Sequence, residues 1–177
     1  MNIVLIGYRC TGKSSVGKIL AGKLQVPFYD TDEMIEIRSG STISEIVRKE
    51  GWESFRRMER ETIRGLENVD RSVIVPGGGA VMDEACRKSL GGKGLFFWLT
   101  AEPSAVLKRM QADGKSRFRR PALPGCDTEN ELTQMKKRMP VYRALSDFHI
   151  DTTHRTVRQA ADRICDIIEN AGIFGKG

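Results

Sequence analysis

The sequence predicts an α/β protein: about five parallel strands with helices on both faces of the sheet. Short apolar runs alternate with amphipathic stretches, the pattern of βαβ units. The first apolar run, Ile3-Val4-Leu5-Ile6, leads straight into a glycine-rich loop and then a helical pattern. Glycine-rich and acidic segments follow the apolar runs, where sheets of this kind bind ligands.

The elements follow in order. A strand is predicted over about Asn2 to Ile6. A helix runs from Ser14 to about Leu24, with Val16, Ile19, Leu20 and Leu24 on one stripe. After Pro27 comes a short strand, Phe28-Tyr29-Asp30, ending in Asp30-Thr31-Asp32. Thr42-Ile43-Ser44-Glu45 is a capping box for a helix through Lys49. Gly51 interrupts that helix, and another carries Phe55, Met58, Ile63 and Leu66. Ser72 to Val75 is the next strand, closed by Pro76-Gly77-Gly78-Gly79. A helix over about Asp83 to Leu90 precedes the apolar strand Leu95 to Leu99. Pro103 opens a helix to about Met110, in its favoured first-turn position. Residues 111–127 hold Gly114, Pro121, Pro124 and Gly125 among basic residues, which predicts a mobile lid loop. Helical pattern resumes near Glu129. Phe148-His149-Ile150 is the last strand and Val157 to Asn170 the last helix.

The loop itself reads Gly7-Tyr8-Arg9-Cys10-Thr11-Gly12-Lys13-Ser14, the spacing G-x-x-x-x-G-K-S between strand and helix. Its backbone N–H groups and the helix N-terminus suit phosphate oxygens. Lys13 reaches the β- and γ-phosphates, and the Ser14 hydroxyl suits Mg²⁺. The fold expectation is therefore a P-loop NTPase-type three-layer α/β/α sandwich. ATP is the expected co-substrate, with Gly7, Cys10, Thr11, Gly12, Lys13, Ser14 and Ser15 around it.

With 177 residues, the chain is expected to be a single domain over 1–177. Hydrophobic content of 40% and charged content of 29% are ordinary for a globular protein. No apolar run reaches the length of a transmembrane helix. The start lacks a basic leader, so the expected location is the cytoplasm. Cys10, Cys86, Cys126 and Cys165 are far apart and are read as free thiols. Cys10 is read as a small loop filler; a phosphate-side thiol prone to oxidation is the lesser alternative. The net charge of +6 admits a nucleic-acid binder, but no aromatic platform interleaves the cations. ATP and a small anionic substrate account for the charge more simply.

Other groups carry chemistry. Asp30 and Asp32, two apart on extended chain, are expected to point to one side. One supports the metal's waters; the other orients a substrate hydroxyl or takes its proton. The plainer reading of Asp32 is a helix cap. Arg56 and Glu59, three apart, are expected to pair. That pair preorganises the guanidinium for a carboxylate, although spacing alone favours an ordinary solvated ion pair. Gly77, Gly78 and Gly79 allow close backbone approach and offer N–H donors. Arg117, Arg119 and Arg120 sit where a closing loop would place a cation on a transferring phosphoryl group. Arg138-Met139-Pro140-Val141-Tyr142 reads as a basic helix containing Pro.

Taken together these motifs resemble the shikimate kinase family over nearly the whole chain. Its D-T-D is matched by Asp30-Thr31-Asp32, its F-R-x-x-E by Phe55 to Glu59, and its triple glycine by Gly77 to Gly79. The lid R-P-L-L is echoed by Arg120-Pro121-Ala122-Leu123, and R-x-P-L-Y by Arg138 to Tyr142. The resemblance implies a nucleoside monophosphate kinase-like fold, strand order 2-3-1-4-5, with a substrate-binding helical segment over about 32–62. It implies transfer of the ATP γ-phosphoryl group to the 3-hydroxyl of shikimate, a step toward chorismate and the aromatic amino acids. Asp32 then holds ring hydroxyls and acts as base. Arg56 and Arg138 hold the substrate carboxylate, with Gly77, Gly78 and Gly79 beside it. Arg120 is the lid arginine, and Asp30 supports Mg²⁺ through water. The chain departs from the family at Cys10, where glycine is usual, and at Pro121-Ala122-Leu123, with extra Arg117 and Arg119. Arg109, His154 and Arg155 are candidates for adenine contact.

The expected partners are shikimate and ATP, with no nucleic acid or membrane, and the expected state is a monomer. Competing readings are a kinase of another small hydroxy acid such as gluconate, and an ATP-binding regulatory domain without turnover. Retention of Lys13, Ser14, Asp32 and Arg120 argues against the second.

Overall fold

The apolar runs become a parallel sheet because the central ones, Asn2 to Ile6 and Val73 to Val75, are buried on both faces. In a computed structural model the described residues are 1–92, 94–112 and 128–172, with 128 and 129 described in their backbone alone. The elements are β1 (Asn2–Ile6), α1 (Lys13–Leu24), β2 (Phe28–Asp30), α2 (Thr31–Ser39), α3 (Ile43–Arg64), β3 (Val73–Val75), α4 (Glu84–Gly91), β4 (Gly94–Thr100), α5 (Pro103–Ala112), α6 (Thr128–Leu145), β5 (Phe148–Asp151) and α7 (Val157–Asn170). A short 3-10 turn, Ala80–Met82, which the sequence did not signal, follows the triple glycine.

The strands lie in the order β2-β3-β1-β4-β5, all parallel. Register is set along β1, where Ile3 opposes Val73 on one side and Leu95 on the other. Alternate side chains go to opposite faces, so the sheet separates two cores. Val4, Ile6, Ile74, Phe96 and Trp98 pack with Tyr8, Cys86, Leu90 and Tyr142. Ile3, Leu5, Val73, Val75, Phe97 and Leu99 pack with Leu20, Ala161, Ile164 and Ile168 on the other side. A third cluster, Ile35, Ile43, Ile46 and Phe55, joins α2 to α3.

Local chemistry sets the ends. Thr42 and Glu45 form the expected capping box, and Thr156 with Gln159 forms another at α7. Gly51 at φ 84° breaks the helical path inside α3, as a glycine there suggested. Asp83 accepts from the N–H groups of Ala85 and Cys86 and starts α4, one residue later than predicted. Ser72 lies outside β3; its backbone N–H and hydroxyl both donate to the Asn2 side chain.

Candidate active site

The phosphate loop closes around its own lysine. Lys13 is buried, and its Nζ donates to the Tyr8 carbonyl at 2.9 Å; the Thr11 hydroxyl donates to the same oxygen at 2.8 Å. This holds the loop in a curved shape with Gly12 at the N-terminus of α1. Cys10 takes φ 59°, a left-handed conformation that glycine adopts more easily. The chain therefore carries a side chain there at the expense of local backbone strain.

Asp30 and Asp32 do not share an extended segment, contrary to expectation. Thr31 and Asp32 are already helical in α2, so the carboxylates part. Asp30, not Asp32, is the N-cap, accepting from the N–H groups of Asp32 and Glu33. Its second oxygen accepts from the Ser14 hydroxyl at 2.5 Å. Asp32 lines a different space, a cavity shared with Arg9, Ile43, Trp52, Phe55, Arg56, Glu59, Gly77, Gly78, Gly79 and Arg138. The cavity holds about 490 Å³ of empty space, mouth included. Arg56 and Arg138 come from helices α3 and α6, so this site is not built from strand ends alone.

Arg56 is paired with Glu59 at 2.5 Å, and Glu59 is 1% exposed, so this is no solvated surface pair. Burial raises the Glu59 carboxyl above its ordinary range, while the Arg56 charge works against that rise. The guanidinium also lies 5.6 Å from the Trp52 ring centre and 5.4 Å from that of Phe55. Such rings restrict where it can point.

The triple glycine is explained by crowding. A Cβ on Gly77 would meet Asp32 Oδ1 at 2.6 Å and Glu59 Oε1 at 2.8 Å. A Cβ on Gly79 would meet the Arg56 guanidinium at 2.6 Å. The expected supply of N–H donors is reduced by one, because Gly77 donates its N–H to the Thr31 hydroxyl at 3.1 Å. Tyr142 donates to the Gly78 carbonyl at 2.5 Å, and burial pushes its phenol up to about 12, so it stays a donor.

Arg138 reaches the cavity from α6, its guanidinium 5.4 Å from the Tyr8 ring centre. Arg109 Nη2 donates to the Thr152 carbonyl at 2.6 Å, and its Nη1 to Cys10 O at 3.4 Å, which places it beside the phosphate loop. His154 and Arg155 are exposed in the turn after β5. Arg117, Arg119, Arg120 and Cys126 lie outside the described residues. Cys10, Cys86 and Cys165 are free thiols.

Comparison with known proteins supports the fold and gives the family. The family model described as shikimate kinase matches residues 9–169. The chain belongs to the shikimate kinase family. It is 42% identical over 172 residues to the shikimate kinase of Syntrophus aciditrophicus, covering 92% of this chain and 88% of that one. It is 37% identical over 176 residues to that of Symbiobacterium thermophilum, covering 99% of this chain and 100% of that one. Among solved structures, the shikimate kinase of Acinetobacter baumannii in complex with shikimate superposes with a TM-score of 0.86 at 33% identity. That likeness covers 96% of this chain and 93% of the other. The Aquifex aeolicus enzyme superposes with a TM-score of 0.82 at 28% identity, over 99% of this chain and all of that one. Membership in this family makes the chain an ATP-dependent kinase of the P-loop type.

Sequence reasoning gave no role to Arg9, Ile43, Trp52 or Glu131. Arg9 stood inside the loop motif and could have been noticed as a cation where the loop bends. The others had no signal, because their place depends on how distant elements pack. No helix among the described residues is long and apolar enough to cross a membrane.

Proposed function

We propose that this chain transfers the γ-phosphoryl group of ATP to the 3-hydroxyl of shikimate, giving 3-phosphoshikimate and ADP. The observation that carries the reading is one cavity in which Asp32, Arg56 and Arg138 meet around a crowded glycine turn beside the phosphate loop. Shikimate is an anion bearing several hydroxyls. Arg56 and Arg138 answer its carboxylate, and Asp32 answers the hydroxyls.

In this reading the loop 7–15 holds the triphosphate through backbone N–H groups. Lys13 exchanges the Tyr8 carbonyl for phosphate oxygens. Asp32 aligns the acceptor hydroxyl and takes its proton as the oxygen attacks the γ-phosphorus. The bond from phosphorus to the β-bridging oxygen breaks, and ADP leaves. Arg120 is proposed, from its motif alone, as the cation on the transferring group.

The hydroxyl of Ser14 and the carboxylate of Asp30 meet beside Lys13, oxygen donors of the kind Mg²⁺ takes in small number along with phosphate and water. The described residues contain no cluster of three or more metal-binding side chains, and a magnesium ion held on nucleotide phosphates needs none. When bound there, Mg²⁺ neutralises charge on the phosphates.

The deciding experiment measures ADP release with shikimate, gluconate and nucleoside monophosphates side by side. Release with shikimate alone is expected. Preference for gluconate would replace the acceptor, and no stimulation by any of them would favour a regulatory ATP-binding domain. The protein is expected to act as a monomer in the cytoplasm.

A further inference from the structure

One residue touches both halves of the site. Tyr8 is 2% exposed. Its carbonyl takes the hydrogen bonds from Lys13 and Thr11 on the phosphate side. Its ring faces the Arg138 guanidinium on the acid side. Its hydroxyl donates to Glu131 Oε2 at 2.6 Å. Glu131, 123 residues away in α6, is itself buried and also accepts from Arg9 Nε at 3.0 Å. Arg9 and Glu131 form an ion pair as well. A buried carboxylate needs such partners, and here it has two from the phosphate loop.

We infer that the Tyr8 ring is a platform that positions Arg138 for the substrate carboxylate, with the Glu131 contact adding a smaller restraint on its angle. The inference rests on the proposed acceptor, shikimate. The physical reason is directional. An arginine side chain has many rotamers, and a flat, electron-rich face limits the guanidinium to the orientations in which its edge points into the cavity. A ring pinned at its far end by a buried acid does not turn to follow other partners. Arg138 then meets the carboxylate already oriented, so less freedom is lost on binding. The Tyr8 backbone keeps its role for Lys13 whatever side chain it carries, so side-chain changes separate the two halves.

The test compares Tyr8→Leu and Tyr8→Phe with the wild type, measuring the KM of shikimate, the KM of ATP, kcat and the melting temperature. Tyr8→Leu is expected to raise the shikimate KM about tenfold while the ATP KM stays within threefold. Tyr8→Phe, which keeps the ring and loses the hydroxyl, is expected to recover most of the loss, to within threefold of wild type. An unchanged shikimate KM in Tyr8→Leu overturns the inference. So does a parallel rise in both KM values with a falling melting temperature, which marks a role in folding only. A Tyr8→Phe variant as impaired as Tyr8→Leu also overturns it, since the ring would then not be the platform. If Tyr8→Leu does not fold, Tyr8→Met is measured in its place against the same limits. Wild type failing to phosphorylate shikimate removes the acceptor and this inference with it; active wild type with unchanged variants removes the inference alone.

Discussion

The two halves of the site are built in opposite ways. The phosphate half is one contiguous loop, residues 7–15, and is proposed to work mainly through backbone groups and one lysine. The acid half is assembled from side chains on α2, α3 and α6 around a glycine turn after β3. The first needs only a strand, a turn and a helix start. The second needs the whole domain to pack correctly before any of its groups meet. A kinase of this architecture can thus keep its nucleotide site while its acceptor changes through substitutions on three helices.

Variants of single residues should separate the halves. The largest effect is expected from Asp32→Asn, with kcat falling at least a hundredfold, within the roughly 10²–10⁴-fold supplied by a positioned base, and ATP affinity kept. Steady-state kinetics plus nucleotide titration check this, and normal turnover would take Asp32 out of the chemistry. Next come Arg56→Ala and Arg138→Ala. Losing one partner of a desolvated charge pair costs about 2 kcal/mol or more, so the shikimate KM should rise about 30-fold with the ATP KM little changed. An equal rise in both would mean that the halves are not separable. Gly79→Ala forces a Cβ against the Arg56 guanidinium, and strain of roughly 1–2 kcal/mol should weaken shikimate on the order of tenfold. Calorimetry against shikimate alone would read this without turnover.

The smallest effect concerns pH. The Glu59 carboxyl titrates above its ordinary value of 4.5, because burial disfavours its charge. In the window just above that value the folded state binds the proton more tightly than the unfolded state does. Stability from this group therefore falls as pH rises through the window. In the other direction, acidification removes the counter-charge of Arg56 early. The shikimate KM of wild type should rise there, and Glu59→Gln should flatten that limb. A pH profile of KM for both proteins decides it; identical profiles would detach Glu59 from acid binding.

Most of the fold was legible because its signals are local. β1, β2 and α7 begin and end where apolar pattern and flanking residues place them, and the Thr42 capping box is where its residues demand. The phosphate loop was legible for the same reason. The acid half was legible in part. The spacing of Arg56 and Glu59 gives their pairing, but their burial comes from α3 packing on the glycine turn. The two aspartates were misjudged because the chain turns helical at Thr31, and period-two reasoning fails at that step. The contact between Tyr8 and Glu131 had no local signal, since 123 residues separate them.

The sheet divides the apolar interior into two layers with different neighbours. Tyr8, whose carbonyl accepts from Lys13, and Tyr142, which donates to the Gly78 carbonyl, pack on one face with Trp98 and Met135. The other face, where α1 and α7 meet around Leu20 and Ile164, holds neither tyrosine. Substitutions in that second layer should therefore change stability before they change acceptor choice.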